Sequence, residues 1–292
     1  MKLATYIEHG REKVGVVSED LKTVCPVSAY GLSYSSMNEL IEKITDEELE
    51  KLRSEYIEEK ATALFAVKLE APIPVPKQDI ICLGENYAKH AMEGAKFRNE
   101  SFDREALPSI YFSKRVNRAA ADGELIDGHF DLDVEVDYES ELAVIIRKDA
   151  YSVSRERSRS YVFGYTVLND ISARATQKKH RQWYRGKSFD GFTPMGPWIV
   201  TADEFAWPPV VQVQSRVNGE LRQDSSTEDM LYDIPYIIEE LSAGMTLKSG
   251  TIISTGTPSG VGLGFDPPKY LKPGDRVECS VSGIGSLKNI LK

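Results

Sequence analysis

Acidic and apolar residues alternate along positions 131–142 with a period of two. Every odd position up to 141 carries a carboxylate: Asp131, Asp133, Glu135, Asp137, Glu139 and Glu141. The even positions are mostly apolar, and an unbroken apolar run follows from 142 to 146. Such alternation predicts a β-strand whose carboxylates share one face.

The two ends of this acidic face have different interpretations. Residues 131–137 are as well explained by a solvated edge strand, where water and salt screen the repulsion between carboxylates, as by a binding site. Glu139 and Glu141 run directly into the apolar segment, and carboxylates so close to a core must be protonated, paired or bound to a cation. Two acids at i and i+2 can converge on one divalent ion, and oxygen ligands suit Mg²⁺, Mn²⁺ or Ca²⁺. Such a site requires a third ligand from elsewhere in the chain.

The N-terminal part of the chain has the pattern of a small α/β domain. Lys2–Ile7 and Lys13–Val17 alternate around a His-Gly turn, which predicts a hairpin. Thr45 opens a capping box and predicts an acidic helix. The proline-rich segment 71–76 predicts an extended connector. We therefore predict two domains, residues 1–71 and residues 72–292.

The larger predicted domain begins with an apolar strand at Ile80–Gly84, followed by a segment of helical character. A helix there places His90 and Glu93 on one face at i and i+3, where the carboxylate could orient the imidazole and raise its basicity. Taken alone, this spacing is more typical of an ordinary surface pair. The polar run Gly94–Leu107 predicts a mobile loop of the kind that often serves as a lid.

Three later segments carry further candidate chemistry. Tyr161–Leu168 is an apolar strand that ends near Asp170, which fits a third oxygen ligand and equally fits a turn-forming aspartate. Lys187 lies between small residues and could supply a fixed positive charge to an oxyanion. The Gly- and Thr-rich stretch 255–264 is not a dinucleotide loop, since Phe265 stands where the third glycine belongs and no helix pattern follows. It could instead present backbone N–H groups to a carboxylate ligand.

Composition narrows the possible functions. The 292 residues are 41% hydrophobic, enough for a substantial core, and the net charge of −9 disfavours nucleic-acid binding because it would repel phosphate. No apolar stretch has the length of a membrane span. Cysteines occur only at positions 25, 82 and 279, scattered and odd in number, which predicts a reducing cytoplasm. The 4 histidines disfavour a histidine-rich zinc site.

Five spaced motifs together resemble the fumarylacetoacetate hydrolase family from roughly Ile80 to Asn289. They are, in order, Gly84-x-Asn86-Tyr87-x-x-His90, Asp137-Tyr138-Glu139-x-Glu141-Leu142, Asn169-Asp170-x-Ser172-Ala173-Arg174, Gly186-Lys187-Ser188-Phe189-Asp190 and Thr255-Gly256-Thr257-Pro258. The resemblance, with its acylpyruvate hydrolase-like branch in particular, implies a mixed, β-rich α+β fold: a β-sandwich roll preceded by the small N-terminal domain. It also implies a homodimer with a bound Mg²⁺ or Mn²⁺ ion, or Ca²⁺ in a crystal.

The matching positions imply roles for nine side chains. The metal ligands would be Glu139, Glu141 and Asp170; the catalytic residues His90, Glu93 and Lys187; and the substrate-binding residues Gln177, Thr257 and Arg174. His90 and Glu93 match a pair that activates water, and Lys187 matches a lysine that steadies an enolate or oxyanion. The chain departs from the family pattern at Ala175, where an aspartate is common, and at Glu85, where an apolar or basic residue is more usual.

The implied activity is metal-dependent hydrolysis of a C–C bond in 2,4-diketo acids of the acylpyruvate or fumarylpyruvate type, through a metal-chelated enolate. The same site could decarboxylate an oxaloacetate-type acid or isomerise 2-hydroxyhepta-2,4-diene-1,7-dioate, a hydroxymuconate-type diene; the intact His90–Glu93 pair favours hydrolysis. A non-enzymatic alternative is a module that binds divalent cations or small acids, which would need neither this pair nor Lys187. The expected partner is a small 2-keto acid, with no nucleic acid and no membrane.

Overall fold

The computed structural model describes residues 1–98, 101 and 108–292. The strands are β1 (Lys2–Glu8), β2 (Arg11–Val17), β3 (Thr23–Pro26), β4 (Thr62–Ala63), β5 (Lys68–Leu69), β6 (Ile80–Gly84), β7 (Ile110–Lys114), β8 (Leu125–Ile126), β9 (Val136–Asp137), β10 (Ser140–Ile146), β11 (Val162–Asn169), β12 (Ser172–Ala173), β13 (Met195–Thr201), β14 (Gln212–Val217), β15 (Glu220–Ser226), β16 (Ile252–Ser254), β17 (Arg276–Val281) and β18 (Gly285–Leu291). The α-helices are α1 (Met37–Lys43), α2 (Asp46–Ser54), α3 (Ala88–Arg98), α4 (Arg174–Lys179), α5 (Tyr184–Lys187) and α6 (Ile234–Ser242).

Two sheets form most of the structure. The larger has 11 strands, in the order β4-β3-β2-β1-β13-β11-β10-β16-β6-β7 with β5 paired to β1, and the smaller has five, in the order β15-β14-β17-β18-β8. Pairing is antiparallel except between β16 and β6 and between β18 and β8. A further short pair joins β12 to β9. The predicted mixed, sheet-rich α+β class is confirmed.

The central strands β10 and β11 are buried along their whole length because both faces of the larger sheet are covered. Leu142, Val144 and Ile146 of β10 belong to the core shared with the smaller sheet. Ala143 and Ile145 belong to a second core, which includes apolar residues of α1 and α2. Since each buried Leu, Val or Ile contributes roughly 1.5–3 kcal/mol, this doubly covered strand is a firm support for the polar residues at its start.

The acidic stretch before β10 departs from the prediction of one continuous strand. Residues 130–132 form a turn followed by irregular chain to residue 135, and the N–H groups of Leu132 and Asp133 both donate to the carbonyl of His129. Asp133 is only 4% exposed, whereas Leu132 and Val134 are 60% and 73% exposed. The solvated-edge interpretation is therefore wrong for Asp133, which is buried while its apolar neighbours are exposed, whereas Asp131 is exposed as that interpretation expects.

Hydrogen bonds explain why an aspartate is stable inside this turn. Asp133 Oδ1 accepts the N–H of Glu135 at 2.8 Å. Its Oδ2 accepts the N–H of Thr176, in the first turns of α4, at 2.6 Å. A buried carboxylate satisfied by backbone donors fixes the distance between the acidic stretch and α4, which borders the candidate site.

The local N-terminal predictions are confirmed. β1 and β2 form the hairpin, and Thr45 forms the capping box with Glu48 at the start of α2. β1 also pairs with β13, so strands from both sides of position 71 belong to one sheet. The division into domains at that position stays a prediction.

The predicted lid loop, Gly94–Leu107, is partly helical: α3 continues through its first five residues. Residues 99–100 and 102–107 of that prediction lie outside the described residues. Within the described part of the chain, no helix is both long and apolar enough to span a bilayer.

Candidate metal centre and active site

Three buried carboxylates meet where β10 begins and β11 ends. Antiparallel pairing sets Ser140 opposite Asn169, which brings Glu139 and Glu141 next to Asp170. One oxygen from each of the three carboxylates lies within 4.8 Å of the others. This oxygen-only donor set has the chemistry that Mg²⁺ and Mn²⁺ prefer. The structure thus brings together the three residues predicted as metal ligands.

Two lysines stabilise this cluster. Lys187 Nζ lies 2.7 Å from Glu139 Oε2 and 2.8 Å from Asp170 Oδ2. Lys114 Nζ lies 2.6 Å from Asp170 Oδ1 and donates to the carbonyl of Ile171 at 3.0 Å. Burial by itself would lower the pKa of Lys187, but the charges of Asp170 and Glu139 outweigh it and raise the pKa, so the ammonium stays charged.

The first carboxylate of the cluster is strongly held in its ionised form. Arg174 Nη2 lies 2.6 Å from Glu139 Oε1. Burial raises the pKa of Glu139, but the ammonium of Lys187 and the guanidinium of Arg174 outweigh that effect and lower the pKa to about 2. Arg174 is shared, since its Nε also donates to Asp137 at 3.0 Å.

Glu141 has a different environment, and it supports the presence of a cation. Its carboxylate accepts the hydroxyl of Ser254 at 2.5 Å and the N–H of Gly256 at 2.8 Å, and no ion pair joins it to a cationic side chain among the described residues. Burial and the negative charges of Asp170 and Glu139 raise its pKa well above the ordinary value. Four buried carboxylates, counting Asp137, thus face only three buried cations (Lys114, Arg174 and Lys187), and a divalent ion fits the remaining negative charge.

Helix α3 carries the predicted His–Glu pair to the other side of the cavity. His90 Nδ1 lies 3.3 Å from Glu93 Oε2, and both side chains are partly buried. The start of the helix is fixed by buried Asn86, whose amide donates to the carbonyls of Thr255 at 2.8 Å and Tyr232 at 3.0 Å. The pair is therefore not a surface feature: it faces a cavity together with part of the carboxylate cluster.

The cavity between these two groups has a volume of about 330 Å³. Seven of the nine predicted site residues line it: His90, Glu93, Glu139, Arg174, Gln177, Lys187 and Thr257. Glu141 and Asp170 lie behind the wall and are not lining residues. Phe112 and Trp183 pack edge to face, with ring centroids 5.2 Å apart, and form an apolar wall.

The predicted substrate-binding residues are engaged with the protein itself. Gln177 Oε1 accepts from Arg174 Nη1 at 3.1 Å. Thr257 donates its hydroxyl to the carbonyl of Ser140 at 2.9 Å and accepts from Gln223 at 2.6 Å. Because their side chains also reach the cavity, these contacts orient them towards any ligand bound there.

The two departures from the family pattern have unequal positions. Glu85 lines the cavity and adopts a positive φ of 54°, which directs the chain from β6 into α3. Ala175 is exposed on α4. Of the two, only Glu85 is placed to contact a substrate.

The Gly- and Thr-rich stretch presents its N–H groups to carboxylates, but these belong to the protein. Gly256 N–H donates to Glu141, and Gly260 N–H donates to Glu93 at 2.9 Å. Gly262 N–H binds Asp137 at 2.7 Å. The prediction that this loop binds a ligand carboxylate is therefore wrong for these three donors.

A strongly basic segment contributes to the lining of the cavity, a feature that the sequence analysis missed. Residues 174–187 contain no acid and six bases: Arg174, Lys178, Lys179, Arg181, Arg185 and Lys187. Lys178 and His180 line the cavity. In a chain of net charge −9, such a local excess of positive charge favours the approach of an anionic ligand.

Lys114 was also missed by the sequence analysis. It ends the largely apolar strand β7, and no spacing in the sequence connects it with Asp170, 56 residues away. A lysine directly after a largely apolar run is the one signal that could have raised it as a candidate.

The family assignment follows from a sequence comparison. A family model described as "Fumarylacetoacetate (FAA) hydrolase C-terminal" matches residues 79–292. The chain therefore belongs to the fumarylacetoacetate hydrolase family, whose members named below are enzymes.

Relatives within the family have different activities. The chain is 46% identical over 227 residues to oxaloacetate tautomerase YisK of Bacillus subtilis, covering 78% of this chain and 74% of the relative. A fumarylacetoacetate hydrolase from Exiguobacterium antarcticum superposes with a TM-score of 0.84 at 38% identity, covering 100% and 99% of the two chains. A maleylpyruvate hydrolase from Sphingobium sp. SYK-6, in complex with manganese(II) and pyruvate, has a TM-score of 0.75 at 31% identity, covering 100% and 98%.

Proposed function

We propose that the protein is a divalent-metal-dependent enzyme that interconverts the keto and enol forms of oxaloacetate or a closely similar 2-oxo diacid. The observation that carries this proposal is the position of the His90–Glu93 pair across one small cavity from the carboxylate–lysine cluster. One acid–base group beside one fixed ammonium, that of Lys187, is sufficient for a proton shift next to a carbonyl. The similarity to a bacterial oxaloacetate tautomerase supports the choice of substrate.

The residues that would hold the metal are Glu139, Glu141 and Asp170. A divalent ion bound by them would supply Lewis-acid polarisation of the 2-oxo group of the substrate. Mg²⁺ and Mn²⁺ both suit these ligands, and manganese accompanies the similar maleylpyruvate hydrolase.

Proton transfer in this mechanism is assigned to His90. With Nδ1–H donating to Glu93, the Nε2 lone pair is free to accept a proton. In the keto-to-enol direction, Nε2 removes a proton from C3, the C2–C3 double bond forms, and the proton is delivered to the C2 oxygen. The reverse direction returns it to C3, so the imidazole is regenerated in each turnover.

Lys187 and other residues of the basic segment would stabilise the negative charges of the substrate. An ammonium has three N–H donors, and Lys187 uses two of them on Glu139 and Asp170, which leaves one for an oxygen in the cavity. Its fixed charge favours negative charge developing on the C2 oxygen. His180 and Lys178, whose ammonium also pairs with Glu135 at 2.7 Å, line the cavity and suit the second carboxylate of a diacid.

Hydrolysis of the C–C bond of a 2,4-diketo acid, of the acylpyruvate or fumarylpyruvate type, is a second candidate. The same His90–Glu93 pair could deprotonate a water molecule that attacks the C4 carbonyl. The similar maleylpyruvate hydrolase lends support to this reaction on a site of this kind. Decarboxylation of oxaloacetate differs from both in needing no base.

An assay panel separates these activities. Purified protein with Mg²⁺ or Mn²⁺ would be assayed with three substrates. Loss of the enol absorbance would be measured with enol-oxaloacetate, pyruvate release with oxaloacetate, and cleavage with acylpyruvates. We expect catalysed enol loss above the spontaneous rate, with little cleavage or pyruvate release. Cleavage of an acylpyruvate without enol–keto catalysis would establish the second candidate instead, and activity on none of them would overturn both.

We also propose a homodimer in a reducing cytoplasm. Cys25, Cys82 and Cys279 are all free and buried thiols, which suits such an environment. Light scattering at micromolar concentration tests the assembly: twice the chain mass of 32.7 kDa is expected, and a monomer would contradict it.

A further inference from the structure

The glycines of residues 260–264 allow this loop to lie unusually close to two carboxylates. A Cβ atom on Gly262 would be 2.5 Å from the carbonyl oxygen of Lys269 and 2.7 Å from Asp137 Oδ1. A Cβ atom on Gly264 would be 2.8 Å from Glu93 Cδ. These distances are shorter than side-chain packing tolerates, so the absence of a side chain is what lets the loop fit between Asp137 and Glu93.

One side of the loop is fixed to the residues that directly precede Glu139. The N–H groups of Gly262 and Leu263 donate to the two oxygens of Asp137, at 2.7 Å and 3.0 Å. The hydroxyl of Tyr138 donates to the carbonyl of Gly260 at 2.8 Å. Asp137 is fully buried, and charge-assisted hydrogen bonds to a buried carboxylate are strong, so this side is rigid.

The other side of the loop holds the acidic member of the catalytic pair. Gly260 N–H donates to Glu93 Oε1 at 2.9 Å, while Glu93 Oε2 faces His90 Nδ1 at 3.3 Å. One carboxylate thus connects the loop to the imidazole. The Gly260 N–H is also 3.3 Å from Oε2, so it holds both oxygens of the carboxylate while Oε2 faces the imidazole.

We propose that residues 260–264, held by Asp137 and Tyr138, form a positioning element that orients Glu93 and, through it, sets the His90 ring relative to the carboxylate cluster. This element is called the glycine clamp below. Glu139 follows Tyr138 in the chain, so a single backbone segment sets both a candidate metal ligand and the clamp. The kinetic part of this inference rests on the proposed function; the part that concerns the imidazole does not.

The clamp has a defined chemical consequence for the histidine. A carboxylate that accepts Nδ1–H stabilises the tautomer whose Nε2 is unprotonated, and Nε2 is the atom assigned to proton transfer. If Glu93 turned away, the neutral ring would be free to place its proton on either nitrogen. The clamp would then affect turnover through the state of the imidazole.

Gly264→Ala tests the clamp with little effect on folding. The added Cβ meets the end of the flexible Glu93 side chain, so the carboxylate moves while the backbone stays in place. We expect kcat to fall by about 10²-fold, the effect of misplacing a catalytic group by about 1 Å, with KM and metal affinity little changed. Gly128→Ala is a matched control, because its Cβ would also meet only a side chain, the ring of Phe130, at 2.2 Å.

A double-mutant cycle then identifies the cause of that loss. Once Glu93→Ala has removed the carboxylate, Gly264→Ala should lower kcat no further. An equal loss in both backgrounds would show that the alanine acts elsewhere, and it would overturn the proposal.

The second readout needs neither substrate nor metal turnover. NMR of the histidine ring nitrogens, assigned by comparison with His90→Gln and recorded where the ring is neutral, should show the Nδ1–H tautomer in the unaltered protein and a mixture in Gly264→Ala. Tyr138→Phe, which loses only a hydroxyl, should shift the same equilibrium less, and it decides the question if Gly264→Ala does not fold. An unchanged tautomer in the folded variants would overturn the clamp, whereas a changed tautomer in a protein that lacks tautomerase activity would contradict only the proposed function.

Discussion

The two sides of the cavity are built in different ways. Glu139, Glu141 and Asp170 are at most 5% exposed, lie at the ends of central strands, and each has at least two polar partners. His90 and Glu93 are partly exposed on one helix. Among the described residues, the hydrogen bond from Gly260 N–H to Glu93 is the main one that joins their side chains to the rest of the fold. The carboxylate side is thus determined by the packing of the whole sheet, whereas on the helical side the Glu93 side chain is held by a single loop.

This difference predicts which properties change together. On the carboxylate side, a substitution alters buried charge, so metal binding and stability should change with activity. On the helical side, a substitution alters a partly exposed pair, so turnover should fall while metal affinity and stability remain. Each prediction below tests one side against the other.

Loss of the metal should have the largest effect. Removing divalent ions with a chelator should abolish turnover, and Mg²⁺ or Mn²⁺ should restore it. In Glu141→Ala, added metal should not restore turnover. Residues that only hydrogen-bond to a metal ligand typically contribute 10- to 100-fold to metal affinity, and losing a ligand itself should cost more. Calorimetric titration with Mn²⁺ measures this, with Asp131→Ala in the exposed turn as the control. Full activity in a verified metal-free preparation would contradict the assignment of the cluster.

His90→Ala should affect turnover alone. Losing a general base typically lowers the rate by roughly 10²–10⁴-fold, and we expect tautomerisation and any acylpyruvate cleavage to fall within that range. Manganese affinity and the thermal midpoint should remain those of the unaltered protein. Any oxaloacetate decarboxylation should be comparatively intact, since it needs no base. If proton transfer survives in His90→Ala, the base lies elsewhere, and His180 is the next candidate.

The sequence predicted those parts of the structure that depend on neighbouring residues. The hairpin β1–β2, the capping box at Thr45 and the strands β6 and β11 all rest on local patterns of burial and hydrogen bonding. The spacing of His90 and Glu93 was likewise correct, because i and i+3 share a helical face whatever surrounds it. Their assignment to a catalytic site, by contrast, could be predicted only from the resemblance to the family.

The parts that the sequence did not predict depend on distant partners. Alternation over 131–135 suggested a strand, yet Asp133 is buried because Thr176, 43 residues away, supplies a donor. A period of two cannot distinguish a strand from a turn whose acid is satisfied elsewhere. Lys114 and the glycine clamp were missed for the same reason, since each depends on contacts between residues far apart in the sequence.

Lys114→Met tests the claim that stability and metal binding are linked on the carboxylate side. Removing one partner of a buried ion pair typically costs about 3–5 kcal/mol, and Asp170 would lose a cation at 2.6 Å. We expect the metal-free variant to unfold at markedly lower denaturant concentration. Mn²⁺ should stabilise it more than it stabilises the unaltered protein, because the ion replaces part of the missing charge. Unfolding curves with and without Mn²⁺ measure both effects, and equal stabilisation in the two proteins would separate Lys114 from the metal site.

The smallest predicted effect concerns the exposed part of the basic segment 174–187. Lys179 and Arg181 are exposed, and neither forms an ion pair with another described residue. A unit charge about 10 Å from a dianion contributes roughly 0.8 kcal/mol in water before screening, so two of them amount to about a three- to tenfold change at low ionic strength. The double variant Lys179→Ala/Arg181→Ala should therefore lower kcat/KM for oxaloacetate by that factor in dilute buffer and hardly at all at high salt.

The control is Lys60→Ala, which removes an exposed lysine in the N-terminal part of the chain. A loss that persists at high salt would mean that these side chains contact the substrate directly, and the cavity would then extend further outward than its lining residues indicate.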